Sequence, residues 1–447
     1  MNARLPLLAA LAVSLFPWRA SAQAWVNNPD YDGPGIRAGN FELHWSAGAE
    51  FGYDSNYFRT SGDGPGEDVV DVFLLRLTPS FSLTTLGSQR RDTQAPQKVK
   101  FSLGAYASYH EVIAADSENS DVSEQRNVGV GAQARLDVFP KGKVGFDALA
   151  AYVRTIDTDG SSEDLAGDGF NRDTLRGGGG LTWRPGGGLF EWRAGYQLTY
   201  NFIEDNDFDY LTNVHHAINT RGRWKFLPRS ALLFDGTYSF VRYVDDNSPQ
   251  NDGDAVHVRA GFHGLVTYHL ALMGMLGWAS SFYKNSATTI QARQYDSLTA
   301  NAEARWFIMP RPNLEEATAA TGLSSIALGY QRSFSNSYQG SFYQRDRGYL
   351  QFSMFLLGAL SGGLELGVSR VGYPEVEANP MANITPSPAI TQLRFDSRLF
   401  AEYRVTDMFA TNATFLYDKV ASDPVVVSQE SLEYDRWQIY IGARLFM

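Results

Sequence analysis

Arginines and carboxylates are the side chains of this 447-residue chain best placed to do chemistry. They recur at every second position of segments whose alternate residues are apolar. Arg135, Arg193, Arg221, Arg223, Arg259, Arg305, Arg345, Arg347, Arg394 and Arg398 fall on the polar parity, interleaved with Glu50, Glu191 and Glu303. Charges at a spacing of two share one face of a strand, where they pair with neighbouring strands or attract mobile ions. That is noncovalent work, and covalent chemistry has thinner support. Of the seven histidines, His215, His257 and His263 share the polar parity, yet neither G-x-S-x-G nor H-E-x-x-H occurs. The absence of cysteine removes thiol catalysis, thiolate zinc sites, iron–sulfur clusters and disulfides together. Asp157, Asp159 and Gly160, followed by Glu163 and Asp164, lack the spacing of a calcium loop and read as solubilising charge. We therefore expect no catalytic residue, no metal and no cofactor, and the chain reads as a non-enzyme. With 38 basic against 49 acidic residues, a nucleic-acid partner is not expected either.

The elements that must position these charges show themselves by period two. Phe41, Leu43, Trp45, Ala47, Ala49, Phe51 and Tyr53 alternate with Glu42, His44, Ser46, Gly48, Glu50, Gly52 and Asp54. Phe190 to Phe202 and Leu298 to Trp306 repeat the pattern. Strands are placed near 40–57, 69–84, 98–112, 126–139, 143–156, 172–184, 189–203, 209–226, 231–244, 254–267, 269–283, 294–307, 324–335, 342–357, 363–373, 389–404, 407–419 and 432–447. The count is eighteen, within a range of 16–20. Connections alternate between tight, mostly basic turns (139–143, 184–188, 226–230, 404–407) and longer acidic loops (113–125, 156–171, 245–254). The connections 85–97 and 308–323 break that rule, and the second could hold a short helix. Gly177 to Gly180 lie inside a strand pattern, where they leave room for a bend or a neighbour.

This is the signature of an all-β transmembrane antiparallel barrel in an outer membrane. A dry two-sheet core would not accept so many charged residues on one parity. Tyr53, Tyr57, Tyr152, Trp183, Trp192, Tyr200, Trp224, Trp306, Tyr403 and Trp437 sit on the apolar parity near strand ends and read as interfacial girdles. Residues 1–22 read as a signal peptide: Arg4, an apolar stretch from Leu5 to Phe16, and Ala20-Ser21-Ala22 before Gln23. Residues 23–38 then form a periplasmic lead and 39–447 the barrel.

Gly52-Tyr53-Asp54-Ser55-Asn56-Tyr57-Phe58-Arg59, at the top of the first strand, resembles the motif that opens barrels of the putative beta-barrel porin-2 family. The motif residues are Gly52, Tyr53, Asp54, Ser55, Asn56, Phe58 and Arg59. The resemblance implies a channel for exopolysaccharide export, with a polysaccharide polymer and a periplasmic polysaccharide-export protein as partners. Trp437, Ile439, Ile441, Ala443, Leu445 and Met447 alternate to the last residue and resemble a C-terminal outer-membrane signal, with Phe446 penultimate. That implies contact with outer-membrane lipid and the barrel-assembly machinery. The residues themselves show a hydrated, charge-lined interior. It suits export of a polymer, a general diffusion or uptake porin or, in a different class, an enzyme or adhesin displayed on a barrel.

Overall fold

The computed structural model describes residues 35–62, 68–87, 97–115, 122, 127–156, 171–204, 208–245, 248–285, 289, 292–308, 324–336, 342–356, 358–377, 386–424, 426–427 and 430–447. The predicted signal peptide 1–22, residues 23–34 of the predicted lead, the calcium-like run 157–164 and all but the first residue of the connection 308–323, where a short helix is expected, lie outside them.

Eighteen strands close into one antiparallel barrel, each paired with its successor in sequence. They are β1 Phe41–Asp54, β2 Val72–Thr85, β3 Val99–Ala114, β4 Asn127–Val138, β5 Val144–Ile156 and β6 Asn171–Trp183. Then follow β7 Phe190–Ile203, β8 Asn213–Leu227, β9 Ser230–Tyr243, β10 Gly253–Leu265, β11 Leu270–Tyr283 and β12 Asp296–Phe307. The wall is completed by β13 Ser325–Asn336, β14 Phe342–Leu356, β15 Leu360–Tyr373, β16 Ile390–Thr406, β17 Phe409–Asp423 and β18 Tyr434–Phe446. Every segment read from the sequence corresponds to one of these. β18 returns to β1 in a register running from Ser46 opposite Phe446 to Asp54 opposite Gln438. Closure leaves no unpaired edge, which is what hydrocarbon demands of a β-structure. The lead is not wholly detached, because Ile36–Ala38 pairs antiparallel with the start of β1.

The two faces separate as the alternation requires. Outward positions carry Phe51, Leu276, Leu298 and Ile441, the last three more than 60% exposed. So large an exposed apolar band belongs in lipid. Tyr53 donates to Asp71 at 2.6 Å, Tyr152 to Asp173 at 2.9 Å, Tyr238 to Asp254 at 2.7 Å, Tyr330 to Asp346 at 2.6 Å and Tyr417 to Asp435 at 3.0 Å. Four of the pairs join neighbouring strands at the long-loop end, on the outward face, and Asp71 immediately precedes β2. Together they form a collar of phenols and carboxylates just above the apolar band.

Tyr57 does not join the outward girdle. It is buried at 5% exposure with Val70, Val72, Leu74, Val112, Val122 and Tyr440. The chain leaves the extended conformation after Asp54, reaching a positive φ of 58° at Arg59, so the parity rule no longer sets where Tyr57 points. The inward positions Val72, Leu74 and Val112 are apolar against the general rule and need a dry cover, which these loop residues provide. Loop residues also pack on Ile203, through Leu211, Phe208 and Tyr210, and on Val371 and Ile390, through Leu432. The interior is therefore narrowed by apolar side chains at its long-loop mouth.

Candidate pore lining and closing seam

β4 to β8 bring one group of charges onto the inward face near the short-turn end. Arg193 on β7 donates to Asp147 on β5 through Nε at 2.8 Å and Nη2 at 2.6 Å, and to Asn219 Oδ1 at 2.8 Å. It reaches across β6 because Gly180 lies beneath it: a Cβ there would stand 2.5 Å from Arg193 Nη2. This is the room for a neighbour that the glycine run suggests. Gly180→Val is expected to dislodge the pair and lower stability by roughly 1–3 kcal/mol. Urea unfolding in detergent micelles checks it, and an unchanged midpoint would show that Arg193 has another route to a carboxylate.

Glu191 Oε2 accepts from Arg184 Nε at 3.0 Å and Arg223 Nη2 at 3.2 Å. Arg135 pairs with Asp137 on its own strand at 3.2 Å. Arg221 stands opposite Arg193 in the β7–β8 register and is exposed to the interior. It makes no hydrogen bond or ion pair among the described residues. The side chain of Lys225, farther down the same strand, makes none either, while its backbone N–H donates to Leu189 O at 2.8 Å.

The other predicted cations divide in the same way. Arg259 pairs with Asp235 at 3.0 Å, and Arg305 with Glu303 at 2.9 Å, while Tyr349 donates to Glu303 at 2.7 Å. Arg347 bridges Glu365, at 2.8 Å, and Asp396. Neither carboxylate was among the predicted lining residues, although both lie on the polar parity, the signal that could have found them. Arg345 donates to Ser369 at 3.1 Å and Arg394 to Gln392 at 2.7 Å. Both lie at the long-loop end, beside the cover over Val371 and Ile390. Arg398 faces Glu365 in the β15–β16 register, but Arg347 holds that carboxylate, and Arg398 has no ion pair within 4 Å among the described residues. Among the described residues no group of His, Asp and Glu is arranged to hold a metal ion.

The motif residues do different work. Asp54, with no exposure, accepts from Arg436 Nε at 2.9 Å and from Gln438 Nε2 at 2.6 Å, tying β1 to β18. Asn56 is 2% exposed: its side-chain amide donates to Thr60 O at 2.7 Å and Asp435 O at 3.2 Å. Its own backbone N–H donates to Asp54 Oδ1 at 3.1 Å. Ser55 Oγ accepts from the Trp437 backbone N–H at 2.9 Å. Gly52 lets the Tyr440 ring lie flat on the wall, since a Cβ would stand 2.3 Å from that ring. Phe58 packs on the apolar cover, Arg59 stands 5.9 Å from the Tyr434 ring centre, and Tyr53 belongs to the outer collar. Below them Glu50 is held by Arg76 at 3.3 Å and by Asn412 at 2.6 Å. The eight-residue motif is thus chiefly the fastening of first strand to last. Arg436, its main partner, is the functional residue that sequence reasoning missed.

No family model and no curated protein matches the chain. Solved structures similar to it include Pseudomonas aeruginosa OpdK with vanillate, at 13% identity and a TM-score of 0.49 over 91% of this chain and 99% of that one. Pseudomonas aeruginosa OccK5 (OpdH) follows at 12% identity and a TM-score of 0.45, over 91% and 98%. Acinetobacter baumannii OccAB4 is similar at 11% identity and a TM-score of 0.42, over 94% and 100%.

Proposed function

We propose that this protein is an outer-membrane channel through which small solutes diffuse or are taken up, with anions favoured. The observation that carries the preference is Arg221. The inward carboxylates nearest it already hold other arginines, so its charge, with those of Lys225 and Arg398, is left for a solute. Barrels of 16–18 strands leave an aqueous passage unless something fills it. Polysaccharide export has the opening motif as its particular support, and those residues are engaged in closing the wall. The apolar narrowing at the mouth also suits small solutes better than a polymer. Insertion by the barrel-assembly machinery belongs to the same proposal.

In planar bilayers under a potassium chloride gradient, the protein is expected to give a reversal potential of the anion-selective sign. In liposome swelling, small monocarboxylates should enter faster than neutral sugars of equal size. Cation selectivity would overturn the preference, and no conductance would overturn the channel.

A further inference from the structure

Independently of what passes through the interior, we infer that the outside of the barrel carries a binding site for one phospholipid of the periplasmic leaflet. The outward face is hollowed where β10, β11 and β12 bring Ala260, Gly274 and Ala302 together at its floor. Trp224, Phe234 and Phe262 stand along its side, and the open volume is about 1020 Å³, the scale of a site for a substantial ligand. Leu232 and Leu276 also line the hollow, so a lipid chain lying here sinks below these larger side chains. It touches protein on several sides, and each added contact is a dispersion gain.

A second observation points to the rest of the ligand. The groove descends towards the short-turn end through Trp224 and Phe226, the latter ring 6.2 Å from that of Phe262. At its foot, in the β8–β9 turn, Arg229 is exposed, with its guanidinium carbon 4.7 Å from the ring centre of Tyr268 in the β10–β11 turn. Among the described residues Arg229 has no carboxylate partner. A cation held at the interface by an aromatic ring, directly below an apolar groove, fits a lipid phosphate above which one acyl chain enters the hollow. The short-turn end of such barrels faces the periplasm, which assigns the leaflet.

The test uses the full-length folded barrel in detergent, loaded with phosphatidylglycerol and read by native mass spectrometry. The protein is expected to keep one phosphatidylglycerol under conditions that strip the annular lipid. Gly274→Leu with Ala302→Phe fills the hollow, and a side chain at Gly274 meets open space, so folding should survive. The retained lipid should then disappear. Arg229→Gln should lower retention at least about tenfold, roughly 1.4 kcal/mol. Ala150→Phe, on the outward face of β5, should change nothing and serves as the control for added bulk. Heat-modifiable migration reports that each variant is folded. The inference is overturned if the native protein retains no lipid, or if the filled variant retains as much as the native one. Equal retention by Arg229→Gln overturns the headgroup assignment.

Discussion

Asp54→Ala is expected to weaken the barrel more than any other single change in the interior. Asp54 and Arg436 are almost wholly shielded, at 0% and 4% side-chain exposure. Removing the carboxylate takes from a buried guanidinium the ion pair that ties it to β1. Breaking a buried pair costs about 3–5 kcal/mol, because the remaining charge is shielded from the water that would otherwise replace the lost carboxylate. The change also removes the shared acceptor of the Asn56 backbone N–H and of Gln438 Nε2, which keeps only its bond to the Tyr440 hydroxyl at 3.2 Å. Loss of the heat-resistant folded band at a lower temperature, and a lower urea midpoint, are the expected readouts. Asp54→Leu combined with Arg436→Met should recover much of the loss, since well-packed apolar side chains replace a buried pair at little cost. A double-mutant cycle separates the pair from its surroundings. An Asp54→Ala barrel as stable as the native one would mean that β1 and β18 are held by their backbone ladder alone.

Arg221→Glu should produce the largest change in ion preference. A solute ion passing at ~6 Å from a unit charge in a water-like dielectric feels about 0.7 kcal/mol. Reversing the sign changes each ion's energy by about 1.4 kcal/mol, in opposite directions for anions and cations, so the anion-to-cation permeability ratio should fall about a hundredfold. Arg221→Gln should give about half of it in free energy. Arg193→Gln acts differently, since it uncovers Asp147 and should shift the ratio through that carboxylate. Reversal potentials at two salt concentrations check all three, with a smaller effect at the higher one. An unchanged ratio in Arg221→Glu would place the passage away from the β7–β8 wall.

How far these residues were legible in the sequence depends on how local the cause is. Strand number and facing followed from the alternation, because a lipid exterior and a polar interior act on every second side chain. The Arg135–Asp137 pair, two residues apart, could be read in the same way. Asp54 and Arg436 lie 382 positions apart, and only closure of the wall makes them neighbours. No spacing in the chain announces such a pair. Arg221 was legible as an inward cation but not as an unpaired one, since that depends on Asp147 being held by Arg193 from two strands away. Tyr57 shows the opposite failure, a strand rule extended past the point where the backbone stops being a strand.

The collar of phenol–carboxylate pairs has a bearing on where the cylinder floats. Sinking by one residue would drag several acids into hydrocarbon at once, and rising would lift bare leucines into water. Depth in the bilayer is thereby pinned from both directions, all the way round. A leaflet that thickens or thins must bend to meet the protein, because the protein has no cheap way to bob.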